Sequence, residues 1–139
     1  MTLIQVQDAI VTKLRELAQD VYDDGVPEET KLRFSDDGIL LPYIVVEHAG
    51  VTLDTNARPI SGVAGAAGES SVTVLCIGPN QRSSRQVAGL VREKLTGFRT
   101  TGSGELVPAI SPFTYIDGNA RPLRYVSEIT FEFALDSVW

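Results

Sequence analysis

At 139 residues, with 43% apolar and 22% charged side chains, the chain has the size and composition of one globular domain, 1–139, built on a single core. A net charge of −6 argues against a general nucleic-acid-binding surface, which would be basic. One cysteine, Cys76, excludes an internal disulfide, and with a single histidine it argues against a Cys/His zinc site.

No stretch approaches the roughly 20 apolar residues of a membrane span. Lys13 is the first basic residue and no long apolar run follows Met1, so no signal peptide is expected. These features predict a chain that lives in a soluble, reducing setting without a membrane partner.

In chain order, Thr2 and Gln5 fit a capping box. Leu3, Val6, Ile10, Leu14, Leu17 and Val21 follow at spacings of three and four, which predicts an amphipathic helix ending near Asp20–Tyr22. Asp23-Asp24-Gly25 and Pro27 are the stop signals. Lys31–Phe34 alternates weakly, and Ser35-Asp36-Asp37-Gly38 is a turn leading to the apolar run Ile39–Val46, with a firm strand at Tyr43–Glu47. Neither Asp-Asp-Gly turn has the alternating oxygen ligands of a calcium loop.

Asp54–Ser70 is rich in glycine and alanine and reads as a flexible surface loop. It lacks the lysine and following helix of a phosphate cradle. Its apolar character suits an arm that orders against a partner. Val72–Ile77 is nearly continuous in apolar residues and predicts the central strand, covered on both faces. Cys76 within it reads as a core residue, because a catalytic thiol needs a nearby base and an exposed setting.

Gly78-Pro79-Asn80 turns into a second helix, with Ser83 and Gln86 as a second capping box. Its buried stripe is Val87, Leu90, Val91 and Leu95, with Lys94 in the last turn and Gly97 just past the end. Arg82 and Arg85 at the helix start read as solvated arginines, or as holders of an anion or of a neighbouring chain's carboxylate. Glu105–Ile110 gives a fourth strand and Phe113–Ile116 a short extended piece.

The last strand, Arg124–Leu135, alternates over its whole length. Tyr125, Ser127, Ile129, Phe131, Phe133 and Leu135 form its core face. Val126, Glu128, Thr130, Glu132 and Ala134 form a polar face, open to water or to a subunit contact. The elements add up to an α+β domain, with two helices on one face of a mostly antiparallel sheet and a long loop between strands. No catalytic constellation, metal cluster or cofactor fingerprint emerges, so the chain reads as a non-enzyme with no cofactor.

The layout resembles the tail terminator (tail completion) proteins of long-tailed bacteriophages. The resemblance rests on the opening helix followed by Asp24-Gly25-Val26-Pro27, on Pro42-Tyr43-Ile44-Val45-Val46, and on the Val72–Gly78 strand running into the Ala88–Leu95 helix. It is completed by a closing Arg124…Phe131-Glu132-Phe133 strand that ends in Val138-Trp139. The Thr30–Leu41 insertion and the glycine-alanine loop depart from the family's compact pattern.

The resemblance implies a structural virion protein at the head-proximal end of the tail, present in the host cytoplasm before assembly. Its partners would be copies of itself in a ring, expected to be a hexamer, the tail tube protein, the head connector, and DNA passing through the lumen. Asp54, Arg58, Arg82, Arg85, Glu128, Glu132 and Trp139 are the residues expected at subunit or tube interfaces or on the lumen wall. Another neck or tail component is the nearest alternative reading, and a small ligand-binding domain or enzyme is the one of a different class.

Overall fold

The structure is a computed structural model that describes residues 3–27, 31–53, 68–110, 114–120 and 123–135. Its elements are α1 (Leu3–Leu14), β1 (Asp20–Asp23), β2 (Tyr43–His48), β3 (Thr52–Leu53), β4 (Gly68–Gly78), α2 (Gln81–Leu95), β5 (Val107–Ile110), β6 (Thr114–Asp117) and β7 (Arg124–Leu135). The strands form one sheet in the order β1-β2-β4-β7-β5, with β3 continuing along β4 and β6 along β7. Only the β1–β2 pair is parallel among these. The α+β class, with two helices on a mostly antiparallel sheet, is therefore present.

The long partners β4 and β7 form the spine, in register from Gly68 opposite Leu135 to Gly78 opposite Tyr125. Alternation decides which side chains enter the core. Val72, Val74 and Cys76 of β4 and Ile129, Phe131, Phe133 and Leu135 of β7 point to the helices and are buried. Each of these large β7 side chains contributes roughly 1.5–3 kcal/mol by leaving water. From the helix layer, Val6, Ile10 and Leu14 of α1 and Val87, Val91 and Leu95 of α2 close the same core. β4 is the central strand as expected, but its second face is only partly covered, with Thr73 and Leu75 half-buried.

Four local expectations are corrected. First, α1 stops at Leu14 instead of near Asp20–Tyr22, tightening through Glu16 N–H to the Lys13 carbonyl and Leu17 N–H to the Leu14 carbonyl. Asp20–Asp23 then runs as a strand parallel to β2. Leu17 and Val21 still pack against the main core, so their core-facing role survives on a different backbone. Second, β4 begins at Gly68, so residues 68–70 of the Asp54–Ser70 loop belong to the sheet. The rest of that loop, 54–67, lies outside the described residues, as does Thr2 of the first capping box.

Third, α2 is capped by Asn80, whose side chain accepts the Ser83 N–H at 2.8 Å, and not by Ser83. Fourth, Leu90 is 42% exposed, and Ser84 and Ala88 take the buried places beside Val87 and Val91. The helix end is as expected: Gly97 follows the Thr96 cap with φ +79°, a conformation that glycine adopts without strain.

The helix-free face of the sheet is not open throughout. Tyr43, Val45, Ile77 and Val126 are buried there beneath Leu40, with Tyr22, Val26, Leu32 and Leu75 around them. The cover comes from Val26 and from residues 31–40. Within it, Ser35 N–H reaches the Ile39 carbonyl at 2.8 Å and Leu41 N–H the Arg33 carbonyl at 3.0 Å, closing the expected turn. Val126, expected on a polar face, is therefore core.

Candidate assembly surfaces

Register places the side chains of the uncovered half of that face. Glu47 lies in a row with Thr73 and Thr130, Leu75 stands opposite Glu128, and Ser71 opposite Glu132. Glu69 stands opposite Ala134, and Val107 borders Glu132 from the outer strand. Four glutamates thus share one surface. Among the described residues the cations beside them are Arg99, at the far end, and Arg124, at the upper rim, whose guanidinium donates to the Tyr43 hydroxyl at 2.9 Å. Thr73 and Thr130 hydroxyls meet at 3.0 Å in the middle of the face.

The field of this surface registers on Tyr115, whose hydroxyl donates to Glu128 Oε1 at 2.8 Å. Burial, that hydrogen bond, and the charges of Glu128, Glu47 and Asp117 together push its phenol up to about 12. At the far end of the face an open depression of about 660 Å³ is bordered by Glu69, Glu105, Glu132 and Arg99. Among the described residues no group of three or more His, Cys, Asp or Glu is arranged to hold a metal ion. None of the described helices is long and apolar enough to cross a membrane.

On the opposite side, the exposed face of α2 carries the other sign. The helix holds Arg82, Arg85, Arg92 and Lys94 against Glu93 alone. Lys94 is joined to Glu16 at 3.2 Å, and this pairing, with Lys13, holds the Glu16 carboxyl below its ordinary range. Arg82 and Arg85 are both exposed and border a shallow surface of about 510 Å³ with Gln81 and Gln86.

Of the seven residues singled out from sequence, the structure brings Glu128 and Glu132 onto one face and Arg82 and Arg85 onto another. Asp54, Arg58 and Trp139 lie outside the described residues. Glu47 and Glu69 belong with Glu128 and Glu132 but were missed. Placing them there takes the register of β2 and β4 against β7, which alternation within one strand does not give. Also missed was the tie between His48 Nε2 and Asp23 Oδ1 at 2.9 Å, which joins the ends of β2 and β1. No protein-family model matches the chain, and no curated protein does either.

Proposed function

We propose that the chain is a structural protein of a long-tailed bacteriophage. Copies close into a ring on the head-proximal end of the tail tube, end its polymerisation, and join it to the connector. The observation that carries this reading is the acidic, helix-free sheet face formed by Glu47, Glu69, Glu128 and Glu132. A wall of this kind repels a phosphate backbone, so DNA slides past without binding. It suits a lumen and would be unsuited to a DNA-holding surface.

The second support is architectural. The exposed face of α2 is basic and unlike the rest of the surface, and contacts between unlike surfaces repeat head to tail and close into a ring where the rotation between copies closes. The residue pattern shared with tail terminators, from Pro42-Tyr43 through β4 and α2 to β7, agrees with this reading.

The genetic test is a phage carrying an early stop codon in this gene. Loss of the protein should leave filled heads unjoined and tails of uncontrolled length. Headless tails of normal, stopped length would assign the chain to head joining alone, as another neck component. The depression beside Arg99 favours a ligand-binding domain as the second reading. That reading predicts a monomer and normal virions in the same mutant.

A further inference from the structure

We infer that the Phe34–Leu40 hairpin of one copy docks on the start of α2 of a second copy, with Asp36 and Asp37 facing Arg82 and Arg85. The inference rests on the ring reading and says which surfaces make the ring contact.

Two features of α2 weaken the isolated helix without an offset among the described residues, and a third leaves apolar surface exposed. Arg82 stands in its first turn and Arg85 directly after it, close to the end where the helix dipole disfavours cations, and the first turn contains no acidic residue. Neither has an ion-pair partner among the described residues. Gly89 lies in the middle of the helix, where glycine is a poor helix former, yet a side chain built there would meet nothing within 4 Å. Leu90 is 42% exposed. At 100° per residue, Arg82, Arg85 and Gly89 fall on one outward face with Leu90 at its edge. A visiting segment that is acidic, partly apolar and able to approach the backbone closely at Gly89 would satisfy all four residues.

The hairpin has that chemistry. Asp36 and Asp37 are exposed at its tip, without an ion pair among the described residues. Phe34 and Ile39 flank them, 46% and 54% exposed. Carboxylates brought to the N-terminal turn of α2 interact favourably with both arginines and with the dipole.

A chain cannot make this contact with itself. Leu32 and Leu40 hold the hairpin on the helix-free face, against Tyr43, Val45, Ile77 and Val126, whereas α2 lies on the other side of β4 and β7. The contact therefore joins unlike surfaces of two copies and repeats around a ring.

Two charge reversals and their combination test it, all at exposed positions. Light scattering on the wild-type chain should report an oligomer that weakens as salt rises. Asp36→Arg/Asp37→Arg and Arg82→Glu/Arg85→Glu should each bring four like charges together and weaken association at least about a hundredfold. The chain carrying all four changes should assemble again. Unchanged assembly by either reversed chain, failure of the fourfold variant to recover, or a wild-type chain that stays monomeric overturns the contact. Circular dichroism of each variant separates lost association from lost folding. If the charge pattern holds but the oligomer ignores tail tubes, the contact stands and the tail reading falls. If tubes are capped equally by the wild-type chain and both reversals, the tail reading stands and the contact falls.

Discussion

Ser127 of β7 donates a hydrogen bond to the Ser84 hydroxyl of α2 at 3.1 Å, and both residues are almost fully buried. The Ser84 hydroxyl in turn reaches the Gln81 carbonyl at 3.0 Å, and Ser127 meets the Thr114 hydroxyl at 2.9 Å. One short polar chain thereby links the first turn of α2, the spine strand and β6 through an otherwise apolar layer. Ser127→Ala breaks two of these links, while Ser84 keeps its bond to Gln81. The expected loss is about 1–2 kcal/mol, read as a lower midpoint in urea unfolding with an unchanged slope.

Two glycines should respond in opposite directions. At Gly78 an added methyl group would lie 2.9 Å from Ser83 Cβ and 3.0 Å from the Ser84 backbone nitrogen, where the helix start cannot move aside easily. Gly78→Ala should cost about 1–3 kcal/mol. At Gly89 the space is open, and Gly89→Ala should stabilise the fold by about 0.5–1 kcal/mol. Thermal unfolding of the two variants side by side checks both signs. If Gly89 admits a neighbouring copy, Gly89→Phe should also weaken self-association.

The resemblance to the expected architecture was legible wherever one rule acted alone. Alternation over Arg124–Leu135 assigned the faces of β7, including Ser127 on the core side, because a long strand offers no competing period. Gly97 and Lys94 marked the end of α2 for reasons local to that turn. The errors arose where two rules fit the same residues. Leu17 and Val21 continue a helical stripe, but Asp20–Asp23 is also a short β-prone segment. A place beside β2, with the Asp23–His48 tie, selected the strand. Asn80 and Ser83 are both good caps, and Asn80 takes the place by accepting the Ser83 N–H with its side chain. The acidic face was half-visible for a different reason. Glu128 and Glu132 sit in one strand, whereas placing Glu47 and Glu69 beside them requires the register of β2 and β4.

Cys76 should be chemically silent while the fold persists. It is fully buried, and burial pushes its thiol up to about 12, far from a reactive thiolate at neutral pH. A disulfide exchange reagent should label it only at the rate of unfolding and completely in denaturant. Fast labelling of the native protein would mean that β4 opens locally.

Stability should fall at alkaline pH. Tyr115 and Tyr43 both have phenols raised above the ordinary 10.0, chiefly by burial, and Tyr115 reaches about 12. A raised folded value means that the native state holds its protons longer than the unfolded chain does. The associated stability is complete below about pH 10 and is lost as pH rises toward 12. Urea midpoints across that range should decline. Tyr115→Phe should flatten the decline, because it removes the hydroxyl that titrates against Glu128 and Glu47.

Capping of a tube by a ring of this chain is tested by adding the purified protein to tail tube protein as it polymerises. Light scattering and electron microscopy should show a ring on one end of each tube and elongation stopped from that end, with the added amount setting the number of closed ends. A monomer that never associates with tubes, while they grow to the same lengths as without it, would rule out a capping ring.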